Sequence, residues 1–201
     1  MLFRSRGHPW LRVINNGRNL GTARSVVQVI PLATKDFFFW QTVDWSYDLT
    51  SLIESVDLLE RYDVLQGYRG PVFSLQSLGN ARSDNWAKAF VSLANWTLVR
   101  ILFGLPLRDF QNVTVYPTRL LQSLTIESNS AFTSPEMLLK AYWKGAVIKE
   151  VPIPFRPRKR GEGKGSTPSR IVAAVRDIFR WWWRWRVLGL RPDRGSGRVV
   201  R

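Results

Sequence analysis

The feature that most constrains this chain is an aromatic run that turns abruptly acidic: residues 37–48 read FFFWQTVDWSYD. Four large apolar residues without polar alternation predict a strand covered on both faces, as in a parallel sheet. Alternate residues of a strand share a face, so an extended segment would bring Asp44, Ser46 and Asp48 together at the strand's carboxyl end. In open α/β sheets that end faces the ligand crevice. The same residues also suit a turn and a helix cap, both of which favour Asp.

The next twenty residues complete a unit. Residues 50–61 carry Leu52, Ile53, Val56 and Leu59 at helical spacing, and residues 62–67 read as a second strand leaving through Tyr68-Arg69-Gly70. Strand, helix, strand in that order predicts a βαβ crossover, and hence an α/β fold with a mainly parallel sheet and flanking helices. Upstream, LRVIN could end a strand, Asn16-Gly17 marks a turn and residues 25–33 read as a helix. The glycine-containing turn between them matches no complete phosphate-loop or dinucleotide fingerprint.

Downstream, residues 86–105 are apolar on more than one face, which fits a core helix or one lying against lipid. Ser134-Pro135-Glu136 has the composition of a helix start, with Ser as N-cap and Glu favouring the dipole. Gly145 ends that helix, and residues 146–153 form a strand with Pro at its exit. Residues 155–166, FRPRKRGEGKGS, gather cations among glycines. They read as a solvated mobile loop that could also close over a diphosphate.

Charge divides the chain. Residues 1–35 hold six basic and no acidic groups, residues 36–150 hold 10 and 12, and residues 151–201 hold 14 and 3. A nearly neutral body with basic flanks predicts contact with anionic lipid or nucleic acid. The absence of Cys excludes disulfides and thiolate metal sites. His8, the lone His, has no second His beside it, so a bound metal would be held by oxygen, which points to Mg²⁺ or Mn²⁺. No run of eighteen uninterrupted apolar residues occurs, and the N-terminus lacks a signal-peptide run. The expectation is a cytoplasmic protein peripheral to a membrane.

Residues 170–190 place Trp181, Trp182, Trp183 and Trp185 among Arg176, Arg180, Arg184 and Arg186. Indoles at headgroup depth with guanidiniums on lipid phosphate describe an interfacial helix. Base stacking with phosphate contacts uses the same residue types. Residues 191–201 read as a disordered basic tail.

The order NNGRNLGTA, helix, aromatic strand into VDWSYD, then DVLQGYR resembles the family 2 glycosyltransferases, in particular the polyprenyl-phosphate (dolichol-phosphate) mannose synthase-like group. Arg82-Ser83, Phe103-Gly104, Arg108-Asp109, Pro135-Glu136, Gly145 and Glu150-Val151-Pro152 continue the likeness, which runs from about residue 12 to 183. It implies a GT-A-like, Rossmann-like domain over residues 1–168, with a basic mobile loop near 156–168, an amphipathic helix at 169–190 and a tail from 191. The domain would be N-terminally truncated, because the chain begins after the family's first strands.

The resemblance implies transfer of a hexose from a nucleotide sugar to a polyprenyl phosphate. Asp44, with Ser46 or Asp48, would hold Mg²⁺ or Mn²⁺. Ser46 stands where the family's metal motif has its second Asp. Asp109 would act as base or acceptor-positioning carboxylate, and Asn112 beside it would bind substrate. Arg69, Arg82 and Ser83 would meet phosphate, and Arg158, Arg160 and Lys164 would clamp the diphosphate. The other readings are a truncated or inactive domain that binds membrane or a partner, and a basic nucleic-acid-binding protein.

Overall fold

The computed structural model describes residues 10–41, 47–69, 84–153, 167–193 and 195–201, with the side chains of 84–92 excepted. Helix α1 (Gly21–Val29) runs into a 3-10 turn at Ile30–Leu32 and leads to strand β1 (Phe37–Phe38). Helix α2 (Thr50–Glu54) and a 3-10 turn at Val56–Glu60 lead to β2 (Val64–Tyr68), then to the long α3 (Asp84–Phe103) and β3 (Thr114–Pro117). Helices α4 (Thr118–Gln122) and α5 (Thr133–Trp143) precede β4 (Val147–Pro152). Helix α6 (Pro168–Trp182) continues as a π-turn at Trp183–Val187, and β5 (Arg198–Val200) closes the described chain.

The five strands form one sheet in the order β1-β3-β2-β4-β5. β3 runs antiparallel to β1 and to β2, while β2–β4 and β4–β5 pair in parallel. The fold is therefore α/β, but its sheet is mixed rather than mainly parallel, because β3 inserts between the two strands of the expected crossover. β1 and β2 keep the same direction and are joined through α2.

β1 corrects the expectation of an inner ribbon. Among the described residues it has a pairing partner on one side only, and Phe37 is 44% exposed. Only Phe38 packs on the core. An aromatic run says that apolar area seeks cover, not how many faces are covered.

Strand alternation divides the interior. Val64, Tyr116 and Ile148 face a large core shared with Phe103, Leu138 and Ile178. Leu65, Val115 and Val151 face a smaller one with Leu52 and Val113. The continuous burial of Val64 to Gly67 is that of a strand with both faces covered. The expected helix over 50–61 divides at Ser55, and Ile53 and Val56 point to solvent. The LRVIN segment forms no strand, and helix α5 starts at Thr133 with Phe132, not Ser134, as N-cap.

Glu136 does more than favour the helix dipole. Fully buried, it accepts from the backbone N–H of Glu127 (2.9 Å) and Ser128 (2.8 Å) and pairs with Lys140 at 2.6 Å. Lys140 also donates to Thr125 O and lies over the Trp185 ring. A buried charge persists only with such partners.

The C-terminus also departs from expectation. Residues 198–200 are β5, in register with Val147, Ile148 and Lys149, where a disordered tail was expected. Gly197 lets the backbone close in: its N–H donates to Tyr142 O at 2.7 Å, and a Cβ there would collide with Ala146 O. Among the described residues no helix is long and apolar enough to cross a membrane.

Candidate functional site

The parallel pair β2–β4 ends in register, Tyr68 opposite Pro152, with Ile153 N–H donating to Tyr68 O at 3.0 Å. β3, running the other way, begins beside Gln66, so the loop that precedes it arrives at the carboxyl ends of β2 and β4. This loop, residues 105–113, carries Arg108, Asp109, Gln111 and Asn112. The carboxyl ends of parallel strands are where open α/β sheets bind their ligands.

There Asp109 is 5% exposed and accepts four N–H groups. Arg69 Nε donates to Oδ2 at 2.7 Å and Arg69 Nη2 to Oδ1 at 3.2 Å, a two-pronged guanidinium–carboxylate fork. The backbone N–H of Arg69 reaches Oδ2 at 3.4 Å, and that of Gln111 reaches Oδ1 at 2.9 Å. Burial alone would lower the Arg69 pKa, but the charge and hydrogen bonds of Asp109 more than offset it, leaving the guanidinium above its ordinary value. The Arg69 side chain remains 38% exposed. Arginine has five N–H donors, and Asp109 engages two of the side-chain ones.

The neighbouring Arg108 does not pair with Asp109. Its backbone N–H donates to Glu150 Oε1 at 2.6 Å, its Nε lies 3.8 Å from Glu150 Oε2, and its guanidinium stacks 4.7 Å from the Tyr68 ring. Glu150 is 3% exposed. Desolvation raises its carboxyl above the ordinary 4.5, against the opposing pull of the Arg108 N–H and of Arg108, Arg201 and Arg100.

Asn112 is buried and ties the loop to the exit of β4. Its Nδ2 donates to Ile153 O at 3.2 Å, and its Oδ1 accepts Val113 N–H at 2.7 Å. Gly67 makes room for it: a Cβ on Gly67 would stand 2.8 Å from both Asn112 Oδ1 and Ile153 Cδ1. Behind them Gln66 Nε2 donates to Asp109 O at 3.1 Å, and Thr114 Oγ1 donates to Gln66 Oε1 at 2.5 Å.

The aromatic-acid stretch meets this loop through Tyr47, whose hydroxyl donates to Gln111 O at 2.8 Å. Asp48 Oδ1 accepts Thr50 N–H at 3.1 Å, the turn role its residue type allows, while the N-cap of α2 is Leu49. Asp44, Ser46, Arg82, Ser83, Arg158, Arg160 and Lys164 lie outside the described residues, as does His8. Among the described residues no three His, Cys, Asp or Glu side chains cluster as a metal site would require.

Of the expected site residues, the structure thus brings together Arg69, Asp109 and Asn112. It adds Tyr47, Gln66, Gly67 and Gln111, which sequence reading did not single out. Tyr47 lies within the aromatic-acid stretch, between Ser46 and Asp48. The Arg69–Asp109 pairing spans forty residues and has no local signature. The chain matches no known protein-family model and no curated protein sequence.

Proposed function

We propose that the chain is a glycosyltransferase-like domain, peripheral to a membrane, that transfers a hexose from a nucleotide sugar to a polyprenyl phosphate. The observation that carries the reading is the Arg69–Asp109 fork at the carboxyl ends of β2 and β4. Both residues fall in segments that resemble family 2 glycosyltransferases, and a cation held at a strand exit suits a phosphorylated substrate.

Asp109 acts by positioning. Its oxygens are already occupied by four N–H groups, three of them from Arg69, and a lipid phosphate is anionic near neutral pH without help from a base. What Asp109 does is fix one edge of Arg69, so that the remaining N–H groups meet phosphate oxygens without reordering, and preorganised charge is the largest catalytic term available here. Asp44, with Ser46 or Asp48, would hold Mg²⁺ or Mn²⁺, which supplies charge neutralisation for the diphosphate leaving group. Arg82, Ser83, Arg158, Arg160 and Lys164 would complete the phosphate contacts.

Calorimetry of the full chain with Mn²⁺ and a set of nucleotide diphosphate sugars tests the substrate side. Saturable binding weakened about tenfold or more by Arg69→Gln and by Asp44→Ala is expected, the loss of about one charged contact. Equal binding by wild type and Asp44→Ala would remove Asp44 from the site. The second reading, a domain that binds lipid or a partner without transferring sugar, is favoured by the occupied state of Asp109. It predicts no saturable nucleotide-sugar binding.

A further inference from the structure

We propose that the outer face of α6 and of the π-turn after it is a docking surface for an anionic lipid bilayer. The inference deepens the lipid-acceptor reading, on which it rests for the claim that the acceptor resides in the same bilayer.

The expectation that all four indoles meet headgroups is corrected by their packing. Trp181 and Trp185 are 4% and 2% exposed, stacked on each other with centroids 5.1 Å apart. Trp185 also meets Trp143 edge-on at 5.3 Å and Phe103 at 5.9 Å. Trp182 is half-buried against the same core. These three anchor the helix, and Arg186 adds a hydrogen bond to Phe103 O at the end of α3.

What remains outside is a coherent face. At about 100° per residue, Val172, Phe179 and Trp183 fall on one stripe, opposite Ala174, Ile178, Trp181 and Trp185. Val172, Phe179 and Trp183 are exposed, Trp183 by 54%, and the exposed Leu188 and Leu190 extend the apolar surface beyond the turn. Arg176 shares the stripe, with Arg180 and Arg184 beside it, all exposed, although the Arg184 guanidinium lies 3.7 Å from Glu127. Asp177 is the only acid between residues 168 and 187.

The chemistry selects the occupant. Apolar side chains flanked along one side by guanidiniums match acyl chains beneath anionic headgroups. Valine and leucine offer no π-face to a nucleic-acid base, whereas hydrocarbon accepts them as readily as indole. A second copy of this face would oppose arginine to arginine. Because core packing already holds the helix, it presents the face without an ordering cost at the moment of binding.

The test is co-sedimentation of the full chain with vesicles of phosphatidylcholine alone and of phosphatidylcholine mixed with phosphatidylglycerol, with tryptophan emission as a second readout. Binding to the mixed vesicles only, with a blue shift, is expected. Paired Arg176→Gln and Arg180→Gln substitutions lower partitioning about 30-fold, and Phe179→Ser with Trp183→Ser abolishes the blue shift. These positions are exposed, so far-ultraviolet circular dichroism and the melting temperature stay those of the wild type. Equal binding to both vesicle types, undiminished binding by the Phe179/Trp183 variant, or tighter binding to a DNA duplex than to anionic vesicles at matched salt would each overturn the inference. Vesicle binding without sugar transfer would refute the transferase reading alone. Transfer to a short, water-soluble prenyl phosphate by a chain that ignores vesicles would refute the docking surface alone.

Discussion

The strength of the Arg69–Asp109 fork can be measured by replacing Asp109 with Ala and Arg69 with Gln, singly and together. Asp109→Ala removes the acceptor for four N–H groups, two of them backbone. Hydrogen bonds to a charged group contribute roughly 1.5–3 kcal/mol each when sequestered. Here water can reach Arg69, whose side chain is 38% exposed, and the two long contacts at 3.2 and 3.4 Å are weaker than the two short ones. A cost of about 2–3 kcal/mol for Asp109→Ala is therefore expected. Arg69→Gln leaves the buried carboxylate with its backbone donors, at a cost of about 2 kcal/mol. The coupling energy should come to about 1–1.5 kcal/mol, above the roughly 0.2–1 kcal/mol of exposed pairs and below the roughly 3–5 kcal/mol of breaking a buried one. Urea unfolding of all four proteins, followed by tryptophan fluorescence with a shared denaturant slope, yields the cycle. A coupling below about 0.5 kcal/mol would place the fork among ordinary surface pairs and remove the basis for calling Asp109 a positioning residue.

The packing sets three other expectations. Gly67→Ala should destabilise by about 1–3 kcal/mol, since its Cβ meets an Asn112 amide that Val113 N–H and Ile153 O hold in place; urea unfolding reads this, and adding Asn112→Ala should recover part of the loss. Trp185→Ala should cost about 3–5 kcal/mol, while Trp183→Ala should stay within about 0.5 kcal/mol; equal effects would mean the two indoles are not divided between core and surface. Glu150→Gln should flatten the pH dependence of stability. Its carboxyl binds a proton more tightly folded than unfolded, so the wild type is favoured below the ordinary 4.5 and loses that contribution as pH rises through the raised folded value. Melting temperatures of both proteins from acid to neutral pH should diverge in that direction, and parallel curves would contradict the assignment.

The sequence carried the parts of this fold that local chemistry decides. β2 and β4 could be placed because short apolar runs bounded by Gly67, Gly145 and Pro152 have few alternatives as inner strands. Asp109 and Asn112 could be nominated through resemblance, yet their partners Arg69 and Ile153 lie some forty residues away, and pairing across that distance depends on strand order. That order was the least legible element: nothing in TVYP announces that β3 runs antiparallel between β1 and β2. β5 escaped notice because Arg198, Val199 and Val200 are too few to signal a strand; the close approach that Gly197 permits is visible only once Ala146 lies beside it. The indoles could have been divided in advance. Trp181 and Trp185 continue the Ala174 and Ile178 stripe at helical spacing, and Trp183 continues Phe179.

The proposed activity is transfer of a hexose onto a lipid phosphate at the ends of β2 and β4. Its most direct test is radiolabelled transfer by the purified chain, from a panel of nucleotide sugars with Mn²⁺, to a polyprenyl phosphate in anionic vesicles. If Asp109 only positions Arg69, as proposed, Asp109→Asn should keep the shape of the wild-type pH profile. The account predicts an organic-extractable product from at least one donor, reduced about 100-fold or more in Arg69→Gln, on the scale of losing one preorganised charge contact. Absence of lipid-linked sugar from every donor, or equal turnover by wild type and Arg69→Gln, would contradict it.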